Sequence, residues 1–314
     1  MYLEHFDLAE QPFSLNPDLD YYCDLSNSHD ILAAILACLA EGDGFVKIVG
    51  EVGVGKTTLC RRLLDSLGDD IVSCYILNPD LNPVTLHKSI ATELGIKLAS
   101  RETQHTVLRK IYATLLTHHR AGKRVVLVVD EAQALSDKCL ESLRLLTNLE
   151  TESSKLLQVV LIGQPELDER LRTRKLRQIQ QRIAFNFYLG PLSKTEIGFY
   201  VASRLVTAGH RNGQLFDNAA CKSLFKATQG VPRVLNILAH KSLLAAYAHG
   251  HGQVTKKAVQ TAIKDSGAVL ASIHHAPEES RWHALWHHPA VYTAAACLFT
   301  VGAVFLSQAL FHWL

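Results

Sequence analysis

The chain has 314 residues, enough for two modest domains that each bury a hydrophobic core. Its charged fraction of 20% is ordinary for a globular protein, and its net charge of +2 argues against nucleic acid or acidic lipid as a partner on global electrostatic grounds. The seven cysteines are scattered without a CxxC pair, which argues against a disulfide framework or a cysteine metal site.

Short apolar runs alternate with helical patterns over roughly the first 190 residues. Apolar residues recur at helical spacing from Ile31 to Leu39, and Ser28 is the candidate cap of this helix. Five runs rich in Val and Ile predict strands: "FVKIVG", "IVSCYIL", "RVVLVVD", "KLLQVVLIG" and "RIAFNFYLG". Helices are predicted to begin near Thr57, Pro83, Thr103 and Ser136, with Asn82 as a cap and Gly95 as a stop. This alternation predicts a parallel sheet with helices on both faces.

From Pro191 the pattern is helical only. "SKTE", Ser193 to Glu196, has the spacing of a capping box, and later helices are predicted near Phe216, at Pro232 and from Thr255 to about Asp265. The sequence therefore predicts an α/β domain over residues 1–190, a small all-helical domain over 191–265 and a linker over 266–288.

"GEVGVGKTT" matches GxxxxGK[ST] and stands between a predicted strand and a predicted helix. Glycines let consecutive backbone N–H groups face phosphates, and the N-terminus of the following helix adds partial positive charge. In such a loop Lys56 reaches the β- and γ-phosphates, and the Thr57 hydroxyl ligates Mg²⁺. The predicted nucleotide-binding residues are Gly50, Glu51, Val52, Gly53, Val54, Gly55, Lys56, Thr57 and Thr58.

"RVVLVVDEAQ" places two carboxylates at the carboxyl end of a predicted central strand. Asp130 is predicted to hold the Mg²⁺ shell, and Glu131 to orient or activate the attacking water. An acidic helix-capping pair is the alternative, which the upstream phosphate loop disfavours. Gln164, after the strand "VVLIG", either binds water or γ-phosphate or is a turn residue before Pro165.

Two sets of arginines leave alternatives open. The run "ELDERLRTRKLRQIQQRI" is a solvated helix face, a source of an arginine that reaches a neighbouring subunit's γ-phosphate, or a DNA contact, although it lacks interleaved aromatics. Arg182, just before a strand, is best placed for the second role. Arg233 begins a helix of the second domain, where it either reaches the nucleotide or is a surface residue in an electrostatically poor position.

These motifs, in this order, resemble the AAA+ ATPases, and more closely the general secretion pathway protein A (ExeA-type) and MSHA pilus biogenesis (MshM-like) ATPases. The resemblance covers about residues 1–265 and rests on "YLEHFDLAEQPFSLNPD", "GEVGVGKTTLCRRLL", "VVDEAQALSDKCLESLRLLTNLE", "LIGQPEL" and "GVPRVLNIL". It implies a P-loop fold with a helical lid, hydrolysis of ATP with Mg²⁺, and nucleotide-dependent assembly into a homo-oligomer. It also implies that Gln164 is the first sensor, Arg182 the arginine finger and Arg233 the second sensor. ExeA-type members continue into a peptidoglycan-binding domain. This sequence ends at Leu314, so peptidoglycan binding is not expected of it.

The end of the chain is apolar. No Asp, Glu, Lys or Arg occurs from Trp282 to Leu314, and about 20 apolar residues suffice to cross a bilayer. A transmembrane helix is therefore predicted over 289–312; a buried helix that closes the lid, or one that docks on a partner, is the alternative. Basic residues on its N-terminal side predict a cytoplasmic ATPase domain; they are Lys256, Lys257, Lys264 and Arg281. Five nearby histidines fit a polar interfacial collar better than a metal site: His274, His275, His283, His287 and His288.

The opening "MYLEHFDLAEQPF" lacks the basic segment of a secretory signal. Taken together, the sequence predicts a single-pass inner-membrane AAA+ ATPase that helps assemble a type IV (MSHA-like) pilus or a type II secretion apparatus, with components of that apparatus as partners. A DNA-binding regulator resembling transposition ATPases and a nucleotide-gated scaffold with little turnover are the alternatives.

Overall fold

A computed structural model describes residues 2–42, 44–77, 79–99, 101–150, 155–267 and 270. The chain divides into two compact units, Met1–Asp265 and Ser266–Leu314, and nearly all described residues belong to the first.

A five-stranded parallel sheet forms the centre of the first unit, which confirms the predicted α/β class. Its strands are β1 (Phe45–Val49), β2 (Ile71–Ile76), β3 (Arg124–Val129), β4 (Gln158–Gly163) and β5 (Ile183–Tyr188). They lie in the order β2-β3-β4-β1-β5, and every neighbouring pair is parallel. β1 and β4 are buried along their whole length, and this burial on both faces explains why their sequences read as continuous rather than alternating apolar runs.

Helices cover both faces of the sheet, as predicted. One apolar cluster contains Leu86, Ile111 and Leu143, and the other contains Ile35 and Leu63. The helices up to β5 are α1 (Tyr2–His5), α2 (Ser26–Glu41), α3 (Lys56–Asp65), α4 (Pro83–Glu93), α5 (Gln104–Arg120), α6 (Asp137–Leu146), α7 (Pro165–Leu171) and α8 (Arg177–Gln180).

The caps show where local sequence rules hold and where they fail. The Asn82 side chain accepts a hydrogen bond of 2.9 Å from the backbone N–H of Thr85, as expected of a residue that caps α4. Ser28 is not the cap of α2, because this helix begins two residues earlier. The Ser28 hydroxyl donates backwards to the carbonyl of Leu25 at 3.0 Å instead of accepting from an N–H ahead of it.

Four helices follow the sheet: α9 (Glu196–Thr207), α10 (Asn218–Thr228), α11 (Pro232–Ala248) and α12 (Lys256–Lys264). Only half of the predicted capping box is present before α9. The Glu196 carboxylate accepts from the Ser193 N–H at 2.8 Å, but the Ser193 hydroxyl lies 3.0 Å from the hydroxyl of Thr195 instead of capping the helix.

The opening segment, residues 2–25, packs against this helical region. The Ala9 N–H donates to the carbonyl of Ala208 at 2.8 Å, and the guanidinium of Arg204, buried in α9, donates to the carbonyl of Pro12 at 2.6 Å. The same guanidinium lies 4.7 Å from the ring centroid of Tyr21. The segment is therefore held on the helical region by backbone, charge and ring contacts together.

Within the described ranges, the helices include none that is both long and apolar enough to cross a membrane. The predicted span over 289–312, the five histidines before it and nearly all of the predicted linker over 266–288 lie outside those ranges.

Candidate nucleotide-binding site

The loop between β1 and α3 has a backbone that glycine residues make possible. Gly53 and Gly55 have φ values of +82° and +103°, in the left-handed region that favours glycine. A Cβ on Gly50 would lie 2.5 Å from the carbonyl oxygen of Leu189, closer than atoms approach. The predicted phosphate loop thus lies directly at the N-terminus of a helix, where anions are favoured.

Lys56 is folded into the concave side of this loop. Its side chain is only 5% exposed, and its Nζ donates to the carbonyls of Gly50 at 2.8 Å and Glu51 at 2.9 Å. Burial lowers the pKa of Lys56, whereas the nearby carboxylates of Glu131 and Asp130, among others, raise it. An incoming phosphate can replace the two carbonyls as the partner of this ammonium group.

Asp130 follows the last residue of β3 and is fully buried. Its Oδ1 accepts from the Glu131 N–H at 2.9 Å, while its Oδ2 finds no hydrogen-bond partner among the described residues. Burial raises the pKa of Asp130, and the Glu131 N–H and the Thr57 hydroxyl lower it. A buried carboxylate oxygen without a partner costs about 1–3 kcal/mol or more. Mg²⁺ prefers oxygen ligands, so the Thr57 hydroxyl and the Asp130 carboxylate fit this ion.

Glu131 has an unusual backbone conformation, with φ +51° and ψ +38°. For a residue other than glycine this left-handed conformation costs about 1–2 kcal/mol, and such conformations cluster at active sites and ligand-binding positions. Its Oε2 accepts from the amide of Gln133 at 2.5 Å and from the amide of Gln164 at 3.1 Å. Two glutamines thus orient one strained carboxylate beside the phosphate loop.

Gln164 contacts both Glu131 and Gln133 near the carboxyl ends of β3 and β4. It precedes α7, and its backbone N–H donates to Oε1 of Gln133 at 3.1 Å. Sequence reasoning missed Gln133, although the polar residue two positions after Glu131 in "DEAQ" was a usable signal.

The two predicted arginines, Arg182 and Arg233, differ in their relation to the site. Arg233 lies in the first turn of α11, and its backbone N–H donates to the carbonyl of Gly53 at 3.1 Å, so the helical region touches the phosphate loop. Arg182 is exposed between α8 and β5 and is not one of the described residues that line the cavity beside the phosphate loop, which is described below. Arg170, from the same basic run, is engaged behind the site: it donates to the carbonyl of Gln133 at 2.7 Å and pairs with Asp137 at 2.8 Å.

A cavity of about 370 Å³, a size typical of small-molecule sites, borders the phosphate loop. Lys56, Thr57, Glu131, Gln164 and Arg233 all line it. Its remaining wall comes from the opening segment and the helical region and is partly aromatic; it includes Tyr21, Tyr22, Leu25, Tyr200, Arg204 and Asn236. The opening segment was singled out in the sequence, but its place against this cavity was not predicted.

The phosphate loop follows β1, the buried Asp130 follows β3, and β4 lies between these two strands. Together with the helical region that contacts the loop, this arrangement defines a P-loop protein of the AAA class. Residues 39–171 match the AAA domain family. General secretion pathway protein A of Aeromonas hydrophila is 41% identical over 273 residues, which are 85% of this chain and 50% of that protein. Residues 39–171 therefore form an AAA domain, and the chain is similar to general secretion pathway protein A, half of whose length it spans.

Solved structures with a similar fold include the ORC2 protein of Aeropyrum pernix in ADPNP–ADP complexes, with a TM-score of 0.61 and 16% identity, covering 81% of this chain and 71% of that one. Cdc6p from Pyrobaculum aerophilum has a TM-score of 0.62 at 18% identity and covers 81% of this chain and 70% of that one. At these identities the likeness concerns the fold.

Proposed function

We propose that the chain binds ATP together with Mg²⁺ and hydrolyses it. The observation that carries this proposal is one cavity lined by the buried Lys56 and by the strained Glu131, whose carboxylate two glutamine amides hold in place. The unpartnered Oδ2 of the buried Asp130 lies beside the same phosphate loop. The ADPNP–ADP complexes of the ORC2 protein, which has a similar fold, support a nucleotide as the ligand.

Each side chain has a task that follows from its position. Lys56 leaves its two carbonyl partners to bind the β- and γ-phosphates, and the loop's N–H groups bind the remaining phosphate oxygens. Thr57 and Asp130 would hold Mg²⁺, which when bound with the nucleotide neutralises negative charge on its phosphates. Glu131 orients a water and accepts its proton, a contribution of about 10²–10⁴-fold in rate. Gln164, whose amide already reaches Glu131, holds the same water or the γ-phosphate.

Phosphate release and nucleotide binding, measured on the same purified full chain, test this proposal. Lys56→Ala is expected to lose nucleotide binding, and Glu131→Gln is expected to bind ATP normally while turnover falls at least 10²-fold. Lys138→Ala, which changes an exposed lysine on α6, is the matched control and keeps both activities. Unchanged turnover in Lys56→Ala and Glu131→Gln would remove the assignment as an ATPase, and binding with negligible turnover by the unmodified chain would indicate a nucleotide-gated scaffold.

The likeness to general secretion pathway protein A supports a role in secretion. We propose that the chain works at the inner membrane, anchored by a single helix over 289–312 with its ATPase region in the cytoplasm, and helps assemble a type II secretion apparatus or a type IV (MSHA-like) pilus. Carbonate extraction of membranes tests the anchor by comparing the full chain with a chain that ends at Pro277. The full chain should stay in the membrane fraction and the shorter one should leave it; release of both would refute the anchor.

We also propose that residues 191–265 are a lid that carries Arg233 as a second sensor, and that Arg182 acts on the nucleotide of a neighbouring copy. The exposure of Arg182, away from its own cavity, supports action between subunits. Arg182→Ala and Glu131→Gln should each be nearly inactive alone, and mixing them should restore turnover, because a mixed interface combines an intact glutamate with an intact arginine. Arg174→Ala, at another exposed arginine of the same run, is the control. A mixture as inactive as its parts would rule out the role in trans.

A further inference from the structure

The hydroxyl of Tyr75, like Oδ2 of Asp130, is buried and has no hydrogen-bond partner of full strength among the described residues. Tyr75 lies on the edge strand β2, in register with Val128 of β3. Residues two apart on a strand share a face, so Tyr75, Val128 and Asp130 belong to one face of the sheet. Tyr75 packs there against the apolar cluster that contains Val128 and Cys60.

Cys60 connects this hydroxyl to the metal-binding residues. It lies in α3 three residues after Thr57, so the two side chains share one face of the helix. The Tyr75 hydroxyl interacts with the Cys60 thiol, but sulfur is a weak acceptor, so this interaction does not replace a full hydrogen bond. Both groups lie in the field of the negative charge of Asp130. A tyrosine hydroxyl carries its proton at neutral pH and can therefore donate a hydrogen bond.

A phenylalanine at position 75 would fill the same apolar space without burying a hydroxyl that lacks a partner. Such a hydroxyl is costly to bury, so its presence calls for a partner that it acquires in some state of the protein. The unpartnered acceptor in this cluster is Oδ2 of Asp130. Carboxylates that bind metals are themselves commonly oriented by hydrogen bonds from an outer group.

We propose that Tyr75 is a positioning residue of the metal site, whose hydroxyl donates to the Asp130 carboxylate, directly or through one water, and fixes it for Mg²⁺. This inference rests on the proposed binding of Mg²⁺ with a nucleotide. It assigns to a residue of the edge strand a role that the phosphate-loop motifs do not specify.

Binding of a fluorescent ADP analogue to the full chain, titrated with Mg²⁺ and repeated in EDTA, tests the proposal. Tyr75→Phe is expected to need about 10–100-fold more Mg²⁺ for half-maximal enhancement of binding, the usual effect of removing an outer-shell partner. Its affinity for the analogue in EDTA should equal that of the unmodified chain. Tyr2→Phe is the matched control, because it also removes a buried hydroxyl without a partner, in α1, and should leave the Mg²⁺ titration unchanged.

The possible outcomes separate the two proposals. An unchanged Mg²⁺ midpoint in Tyr75→Phe would overturn the role of Tyr75, as would an equal loss of affinity in EDTA, which would mean that the hydroxyl supports the fold and not the metal site. If the unmodified chain binds the analogue without any response to Mg²⁺, the proposed function itself is wrong.

Discussion

The turn before α11 provides a sharp test of how the structure holds Arg233, because Gly230 in that turn has almost no room for a side chain. Its φ is +79°, and a Cβ built on it would lie 2.0 Å from the carbonyl oxygen of Leu192. The Leu192 N–H also donates to the carbonyl of Gly230 at 2.9 Å. We therefore expect Gly230→Ala to push apart the two segments that join the start of the helical region to α11.

The magnitude follows from three effects. An alanine at positive φ costs about 1–2 kcal/mol, loss of the Leu192 hydrogen bond costs about 1 kcal/mol, and relief of the overlap costs about 1–3 kcal/mol. Gly230→Ala should therefore lower the free energy of unfolding by about 3–6 kcal/mol. Gly250→Ala isolates the first effect, since Gly250 has φ +66° with nothing within 4 Å of the added Cβ, and should lower it by about 1–2 kcal/mol.

Urea denaturation followed by circular dichroism measures both variants, and ATP turnover at a temperature where both are folded measures the effect on Arg233. Gly230→Ala should lose turnover and Gly250→Ala should keep it. Equal destabilisation of the two variants would refute the reasoning, because it would mean that the backbone near Leu192 relaxes without cost.

Three further predictions concern buried polar groups. Burial lowers the pKa of His87 from its ordinary 6.5, so below that pH the unfolded chain binds a proton that the folded chain excludes. In urea denaturation at several pH values, the free energy of unfolding should therefore fall as the pH drops below 6.5. The fall should be less steep in His87→Gln than in the unmodified chain or in the control His105→Gln. Lys47→Met leaves the carboxylate of Asp168, whose side chain is 18% exposed, without its ion-pair partner. The change should cost about 1–3 kcal/mol in urea denaturation, most of which Lys47→Met with Asp168→Leu should recover. Arg204→Met removes the donors to the opening segment and should make that segment sensitive to limited proteolysis after Phe6 or Phe13, at chymotrypsin concentrations that the unmodified chain resists.

The sheet could be predicted from the sequence because its central strands β1, β3 and β4 are buried on both faces and therefore stand out as apolar runs between helices. The start of α2 was harder to locate, since serines at positions 26 and 28 both precede the apolar repeat and only tertiary packing decides where the helix begins. The predicted capping box failed in part for a similar reason: the Ser193 hydroxyl has a competing neighbour in Thr195. Local rules rank such candidates but do not choose among them.

The phosphate loop and the two carboxylates could be located because their chemistry requires fixed residue types at fixed spacing. Tyr75 and Arg204 could not be found in this way. Each meets a segment far away in the chain, as when the Arg204 guanidinium donates to the carbonyl of Pro12. A sequence shows which groups can form a hydrogen bond, but only the fold shows which of them are buried together.

The proposed hydrolysis of ATP depends most on Glu131, the residue that we propose activates the attacking water. The most direct measurement is the identity of the nucleotide that the protein retains after incubation with ATP and Mg²⁺, determined by rapid separation and acid quench. The unmodified chain should retain ADP, and Glu131→Gln should retain intact ATP in comparable amounts. Recovery of ADP from Glu131→Gln at the rate seen for the unmodified chain would contradict the account.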